Sequence, residues 1–255
     1  MLLVIAFLEK VNYGGNFSPD VLIYNYILNS LECNMIGCIL LAGGKGNRFG
    51  SKKQFLEING LKIFEYSLKT IERVEEIDFV VVVLPKEDLD IEIKSSKKIL
   101  KVEGGSERQF SVFNGLKAIA DCDIVAIHDS ARPFATVNMF RDGIKNVKAG
   151  WDGSITAYRS PDTIKRVINN KIIETLNREE IYVVQTPQVF DFKKLLKAHE
   201  YASENNILAT DDSALMEKLG YRITVNEGSF FNFKITYLKD LEMVECFIKG
   251  EKVKS

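Results

Sequence analysis

The segment Leu40-Leu41-Ala42-Gly43-Gly44-Lys45-Gly46-Asn47-Arg48-Phe49-Gly50, followed by Lys53-Gln54-Phe55, places two cations after a cluster of glycines. Glycine has no Cβ, so backbone N–H groups there can approach phosphate oxygens closely and adopt positive φ. Arg48 and Lys53 then stand where they can offset charge on a transferring phosphoryl group, a reaction that asks a protein for positioning and electrostatics more than covalent chemistry. The pattern points to a nucleoside triphosphate. It is not a P-loop, because Gly46 follows Lys45 where Ser or Thr would meet magnesium. Nor is it a dinucleotide fingerprint, because Phe49 takes the place of the last glycine. Taken alone, the same residues also describe a tight strand-to-helix turn and two solvated surface cations.

The remainder of the chain narrows this. In order come Gly104-Gly105-Ser106-Glu107-Arg108-Gln109-Phe110-Ser111, His128-Asp129-Ser130-Ala131-Arg132-Pro133-Phe134 and Asp162-Thr163-Ile164-Lys165-Arg166. They are followed by Gln185-Thr186-Pro187-Gln188-Val189-Phe190, Thr210-Asp211-Asp212 and Asn232-Phe233-Lys234-Ile235-Thr236. At these spacings the set resembles the 2-C-methyl-D-erythritol 4-phosphate cytidylyltransferases of the non-mevalonate isoprenoid pathway, over about residues 35–249. The ribitol-5-phosphate cytidylyltransferases share the loop, the His-Asp-x-x-Arg-Pro segment and the Gln-Thr-Pro-Gln segment, and are the alternative. The Lys and Arg of Asp162-Thr163-Ile164-Lys165-Arg166 favour the methylerythritol group. A catalytically silent nucleotide-binding relative is a third reading, opposed by the joint presence of Arg48, Lys53, Asp129, Arg178 and Lys234.

The resemblance implies a reaction and a set of roles. CMP passes from CTP to methylerythritol 4-phosphate with release of pyrophosphate, assisted by Mg²⁺ or another divalent cation. Arg48 and Lys53 stabilise the pentacoordinate state at the α-phosphorus, and Arg178 and Lys234 position the acceptor. Ala42, Gly43, Gly44, Gly46, Gly105, Ser106, Ser111 and Asp129 hold the nucleotide, with Asp129 also the metal contact, since magnesium favours a carboxylate and substrate phosphates. Thr163, Arg178, Thr186 and Lys234 bind the polyol phosphate. Lys52 stands where the family commonly has Pro, Ser106 where it is often acidic, and Asn177 where Asp is commoner. Ser106 also reads as a helix cap, and Asp129 as an ordinary strand-end turn residue. The role of Arg132 stays open between bracing its loop and contacting ligand. Asp211 and Asp212 read as complements of a helix dipole rather than as a second metal site.

Composition sets the frame. The 255 residues suffice for one large domain, and 34 basic against 35 acidic residues leave a net charge of −1 with no basic face for nucleic acid. Cys33, Cys38, Cys122 and Cys246 form no C-x-x-C pair, which fits a reducing cytoplasm, and two histidines cannot build a histidine-rich metal centre. Residues 1–34 have no counterpart in the family. Their apolar start lacks a basic flank and is too short to span a membrane, so neither a signal peptide nor an anchor is expected. We expect Met35 to be the physiological start, with 1–34 an artefact of gene calling.

Strand-like and helix-like runs alternate, predicting an α/β fold: a single Rossmann-like nucleotidyltransferase domain over 35–250, with a mostly parallel sheet covered on both faces. Ile36–Leu41, Phe79–Leu84 and 124–127 read as buried strands, and 63–73 as an amphipathic helix with Phe64, Leu68 and Ile71 on one face. Residues 106–120 read as a helix with Ser106 and Gln109 as a capping box. Asp129 falls just past a strand's carboxyl end, where open α/β sheets bind ligands. Residues 163–168 and 171–176, joined by Asn169-Asn170, predict a hairpin. It belongs to a β-arm over about 161–178, which in the family embraces a second subunit, so a homodimer is expected.

Overall fold

A computed structural model describes residues 35–44 and 52–252. The expectations for residues 1–34, Gly46 and Arg48 lie outside the described residues. Among the described residues, seven strands form one sheet in the order β11-β7-β10-β6-β1-β4-β5. They are β1 (Ile36–Leu41), β4 (Phe79–Leu84), β5 (Lys98–Glu103), β6 (Ile124–Asp129), β7 (Gly153–Arg159), β10 (Tyr182–Asp191) and β11 (Ile223–Glu227). β2 (Glu57–Ile58) with β3 (Leu61–Lys62), and β8 (Lys165–Ile168) with β9 (Lys171–Thr175), make two small antiparallel ribbons. Within the main sheet β10 pairs antiparallel with both β6 and β7, while the other neighbouring pairs are parallel.

Because side chains alternate across a strand, near-continuous apolar runs supply two cores at once. Ile36, Cys38 and Leu40 of β1 join Val80, Val82 and Leu84 on one face, packed against α1 (Ile63–Glu72) and α3 (Val137–Lys148). Ile39, Val81, Val83, Val125 and Ile127 face the other way, toward α2 (Arg108–Lys117), α4 (Phe192–Glu204) and α5 (Asp212–Lys218). A third cluster joins Ile58, Ile63 and Ile235 to Val244 and Ile248 of α6 (Asp240–Lys252).

The helix expected over 106–120 is shorter. It starts after Glu107, which makes no side-chain cap bond. Gln109 does not close a capping box, because its side chain is committed to the 207–209 segment, donating to the Ile207 carbonyl and accepting from Ala209 N–H. The Ser111 hydroxyl stabilises the preceding turn instead, accepting from Gly105 N–H and donating to the Glu107 carbonyl. The strand expected over 124–127 runs two residues further, so Asp129 is its last residue rather than the one beyond it.

The predicted hairpin forms, with Asn169 and Asn170 both at positive φ (48° and 62°), the backbone that a two-residue turn between twisted strands requires. It protrudes between β7 and β10, and every residue of β8 and β9 is exposed. No described helix is long and apolar enough to cross a membrane.

Candidate functional site

The carboxyl ends of β1, β5 and β6 converge on one cleft of about 340 Å³, at the point where the sheet order reverses around β1. Two glycine turns form its walls. The first leaves β1 with Ala42 N–H donating to the Val83 carbonyl at 2.8 Å, and the second leaves β5 with Gly104 N–H donating to Leu84 at 2.8 Å. They touch: a Cβ on Gly43 would stand 3.5 Å from Gly104 Cα. Gly105 has no room for one, since a Cβ there would fall 2.4 Å from Cβ of Phe110 and 2.9 Å from its carbonyl carbon. Ala42, Gly43, Gly44, Lys53, Gly105, Ser106, Ser111, Asp129 and Lys234 all line the cleft.

Asp129 is the centre of charge. Its Oδ1 accepts from Arg108 Nε at 3.0 Å and its Oδ2 from Lys234 Nζ at 2.5 Å. Burial alone would raise its pKa, but Arg108 and then Lys234 outweigh that and hold the carboxyl well below the usual carboxylate range. Asp129 is therefore a fixed anion flanked by two cations. Lys53 lies on the facing wall, its ammonium donating to the Ile235 carbonyl, and the Gln54 amide bonds the Gly44 carbonyl at 3.0 Å. Lys52, in the family's proline position, is drawn outward by Glu87 and Asp88 at 2.8 and 2.6 Å.

The Gln-Thr-Pro-Gln segment supports this floor from below. Asp129 N–H donates to Thr186 Oγ1 at 3.0 Å, and the same hydroxyl meets Nδ1 of buried His128 at 3.1 Å. Thr186 thus sits beneath the carboxylate, not on the cleft wall. Gln185 donates to the Ser229 and Asn232 carbonyls, and the Asn232 amide returns a bond to Gln185, fixing the loop that delivers Lys234. Arg132 braces the same loop by donating to the Asn232 carbonyl at 2.7 Å. Thr163 and Arg178 are exposed near the ends of the arm, and neither lines this cleft.

Two residues matter more than sequence reasoning allowed. Arg108, the first residue of α2, pairs with Asp129 and also with Asp212 at 2.7 Å. Asp211 caps α5 by accepting from Ala214 N–H, as an acidic helix start suggests, but Asp212 is only 1% exposed and pairs with His199 as well as Arg108. The signal missed was the placement of Arg108 in the first helical turn, where the dipole disfavours a cation unless carboxylates compensate it. Among the described residues no three His, Cys, Asp or Glu side chains cluster as a metal centre. Asp129, which lines the cleft together with Glu107, does fit magnesium, which retains waters and binds one or two carboxylates together with substrate phosphates.

The family model "IspD: 2-C-methyl-D-erythritol 4-phosphate cytidylyltransferase" matches residues 36–250. This chain belongs to that family. A 2-C-methyl-D-erythritol 4-phosphate cytidylyltransferase of Aquifex aeolicus is 45% identical over 218 residues, covering 86% of this chain and 100% of the relative. One from Clostridium perfringens is 41% identical over 220 residues, covering 83% and 97%. The crystal structure of the 4-diphosphocytidyl-2C-methyl-D-erythritol synthase from Anaerococcus prevotii superposes with a TM-score of 0.78 at 33% identity, covering 87% of this chain and 99% of that one. The α/β architecture with its mostly parallel sheet is therefore that of the cytidylyltransferase family.

Proposed function

We propose that the cleft transfers CMP from CTP to 2-C-methyl-D-erythritol 4-phosphate, giving 4-diphosphocytidyl-2-C-methyl-D-erythritol and pyrophosphate. The observation that carries this reading is the joining, in one cleft, of two glycine turns with Lys53, Lys234 and the Asp129 carboxylate. Family membership over residues 36–250 supports the substrate pair, and the relatives described above are named for methylerythritol rather than ribitol phosphate.

The acceptor's phosphate oxygen attacks the α-phosphorus of CTP, the new P–O bond forming as the bond to the β-phosphate bridging oxygen breaks. The nucleophile is already an anion, so no general base is required. The glycine turns present backbone groups to the nucleotide, and the Ala42–Gly44 and Gly105–Ser106 walls stand where cytosine is selected, with Ser111 holding the second turn. Lys53, with Arg48, offsets charge at the α-phosphorus, and Lys234 holds the acceptor phosphate in line, where orientation supplies much of the rate. Asp129 would hold the divalent cation, Mg²⁺ for preference, which when bound neutralises triphosphate charge.

The protein acts as a cytoplasmic homodimer joined through the β-arm, in line with its scattered cysteines and the arm's exposed apolar side chains. An isolated two-stranded ribbon is marginal in water, and this one exposes Val167, Ile168, Ile172 and Ile173, each at least 44% accessible. Thr163 and Arg178, which do not line their own cleft, then serve the acceptor side across the dimer, with Thr186 acting from beneath. The test of the reaction is ³¹P NMR of the product from CTP, Mg²⁺ and methylerythritol 4-phosphate. New resonances of an asymmetric diphosphate diester together with free pyrophosphate are expected. Inorganic phosphate with CDP would instead reveal hydrolysis and overturn the reading.

A further inference from the structure

Asp129 has two counter-cations, and they are held differently. Lys234 reaches Oδ2 from a loop on a flexible four-carbon stem, whereas Arg108 grips Oδ1 from the start of a helix and is itself gripped from behind. Its guanidinium spends Nε on Asp129 and an Nη on Asp212, a two-pronged geometry that an ammonium cannot reproduce.

Asp212 in turn is immobilised from several sides. Its other oxygen meets His199 Nε2 of α4 at 3.1 Å, and the His199 ring stacks on Phe113 of α2 with centroids 5.9 Å apart. The turn before it is tied to β10, because Gln188 donates to the Asp211 carboxylate at 2.8 Å while that carboxylate caps α5. A buried ion pair of this kind is seldom more stabilising than apolar residues of the same volume, so geometry is its main return.

We propose that Arg108 and Asp212 are positioning residues for cytidylyl transfer: Asp212 fixes the Arg108 guanidinium, and Arg108 fixes one oxygen of Asp129, leaving Lys234 as the counter-cation free to turn to the acceptor phosphate. This rests on the roles given to Asp129 and Lys234 above. It explains why a cation occupies the first turn of α2, and it links the Gly104–Gly105 turn rigidly to the carboxylate facing it across the cleft.

The test compares Asp212→Asn, Arg108→Gln and the double variant with wild type, reading kcat with methylerythritol 4-phosphate and, separately, the CTP dissociation constant by equilibrium titration in EDTA and in Mg²⁺. Wild-type turnover in the same assay tests the reaction itself. The variants' titrations test the positioning even if that turnover fails. Asp212→Asn is expected to lower kcat and weaken Mg²⁺-dependent CTP binding by roughly 10-fold each, the usual scale for a group supporting a ligand-binding carboxylate. Its CTP affinity in EDTA should stay at the wild-type value, which a merely structural role would not preserve. In the Arg108→Gln background the Asp212→Asn effect should vanish. Arg108→Lys, which keeps the charge without the fork, should fall with Arg108→Gln and supplies the same comparison if Asp212→Asn does not fold. Wild-type kcat and CTP affinity in Asp212→Asn, an Asp212→Asn effect undiminished by Arg108→Gln, or full rescue by Arg108→Lys would each overturn the proposal.

Discussion

Nζ of Lys234 lies 2.5 Å from Oδ2 of Asp129, joining residues 105 positions apart across the floor of the cleft. The pair is unequal: the Asp129 side chain is 10% exposed and Lys234 35%. The carboxylate belongs to the end of a central strand, and the ammonium to a loop that Gln185, Arg132 and Asn232 hold in place. One fixed anion and one movable cation at the same spot is the arrangement an incoming phosphate can exploit.

Replacing Lys234 by Gln should therefore separate the two substrates. Truncating one partner of a partly buried charge pair costs about 2–5 kcal/mol, or roughly one and a half to nearly four orders of magnitude in kcat/KM for the polyol phosphate. CTP affinity measured without acceptor should change little. An equal loss for both substrates would contradict the assignment.

Gly105→Ala tests the second glycine turn. Its Cβ would arrive 2.4 Å from that of Phe110 and 2.9 Å from backbone, so the turn has to move. Denaturant unfolding should show a loss of about 1–3 kcal/mol, typical of overpacking, accompanied by weaker CTP binding. Unchanged stability would mean that the turn has slack.

Much of this architecture was legible in the residues. Asn169-Asn170 announced a turn needing positive φ at both positions, and continuous apolar runs announced strands buried on two faces. The glycine turns and Asp129 were placed in one crevice by the rule that ligands collect at strand carboxyl ends. What escaped was non-local. Gln109 has the right spacing for a capping box, yet its amide serves a segment 98 residues away. Asp212 looks like any acid at a helix start, and only folding brings it to Arg108, 104 positions earlier. Thr186 matched a substrate-side motif, and folding buries it beneath Asp129.

His128 gives a pH dependence with a defined sign. Burial pushes its pKa down to about 4 from 6.5, so the unfolded chain takes up the proton first as pH falls. Its contribution is complete above pH 6.5 and is lost toward pH 4, about 3 kcal/mol in all. Asp129 and Asp212 are held below ordinary carboxylate values, so their contributions disappear only at still lower pH. Unfolding free energy measured from pH 7 to 4.5 should therefore fall, with a shallower slope in His128→Asn. Identical slopes would contradict the account.

For the arm, Ile172→Asp puts a charge on a residue 60% exposed in the isolated chain and buried in the proposed dimer. Sedimentation should show a dimer for wild type and a monomer for the variant. A wild-type monomer at micromolar concentration would remove the arm from any role in assembly.

The most direct measurement of the central claim is pyrophosphate release by the purified protein with CTP and Mg²⁺, comparing methylerythritol 4-phosphate and ribitol 5-phosphate as acceptors. Turnover with the first at a kcat/KM well above the second is expected, and none when acceptor is omitted. Preference for ribitol 5-phosphate, or release independent of either acceptor, would contradict it.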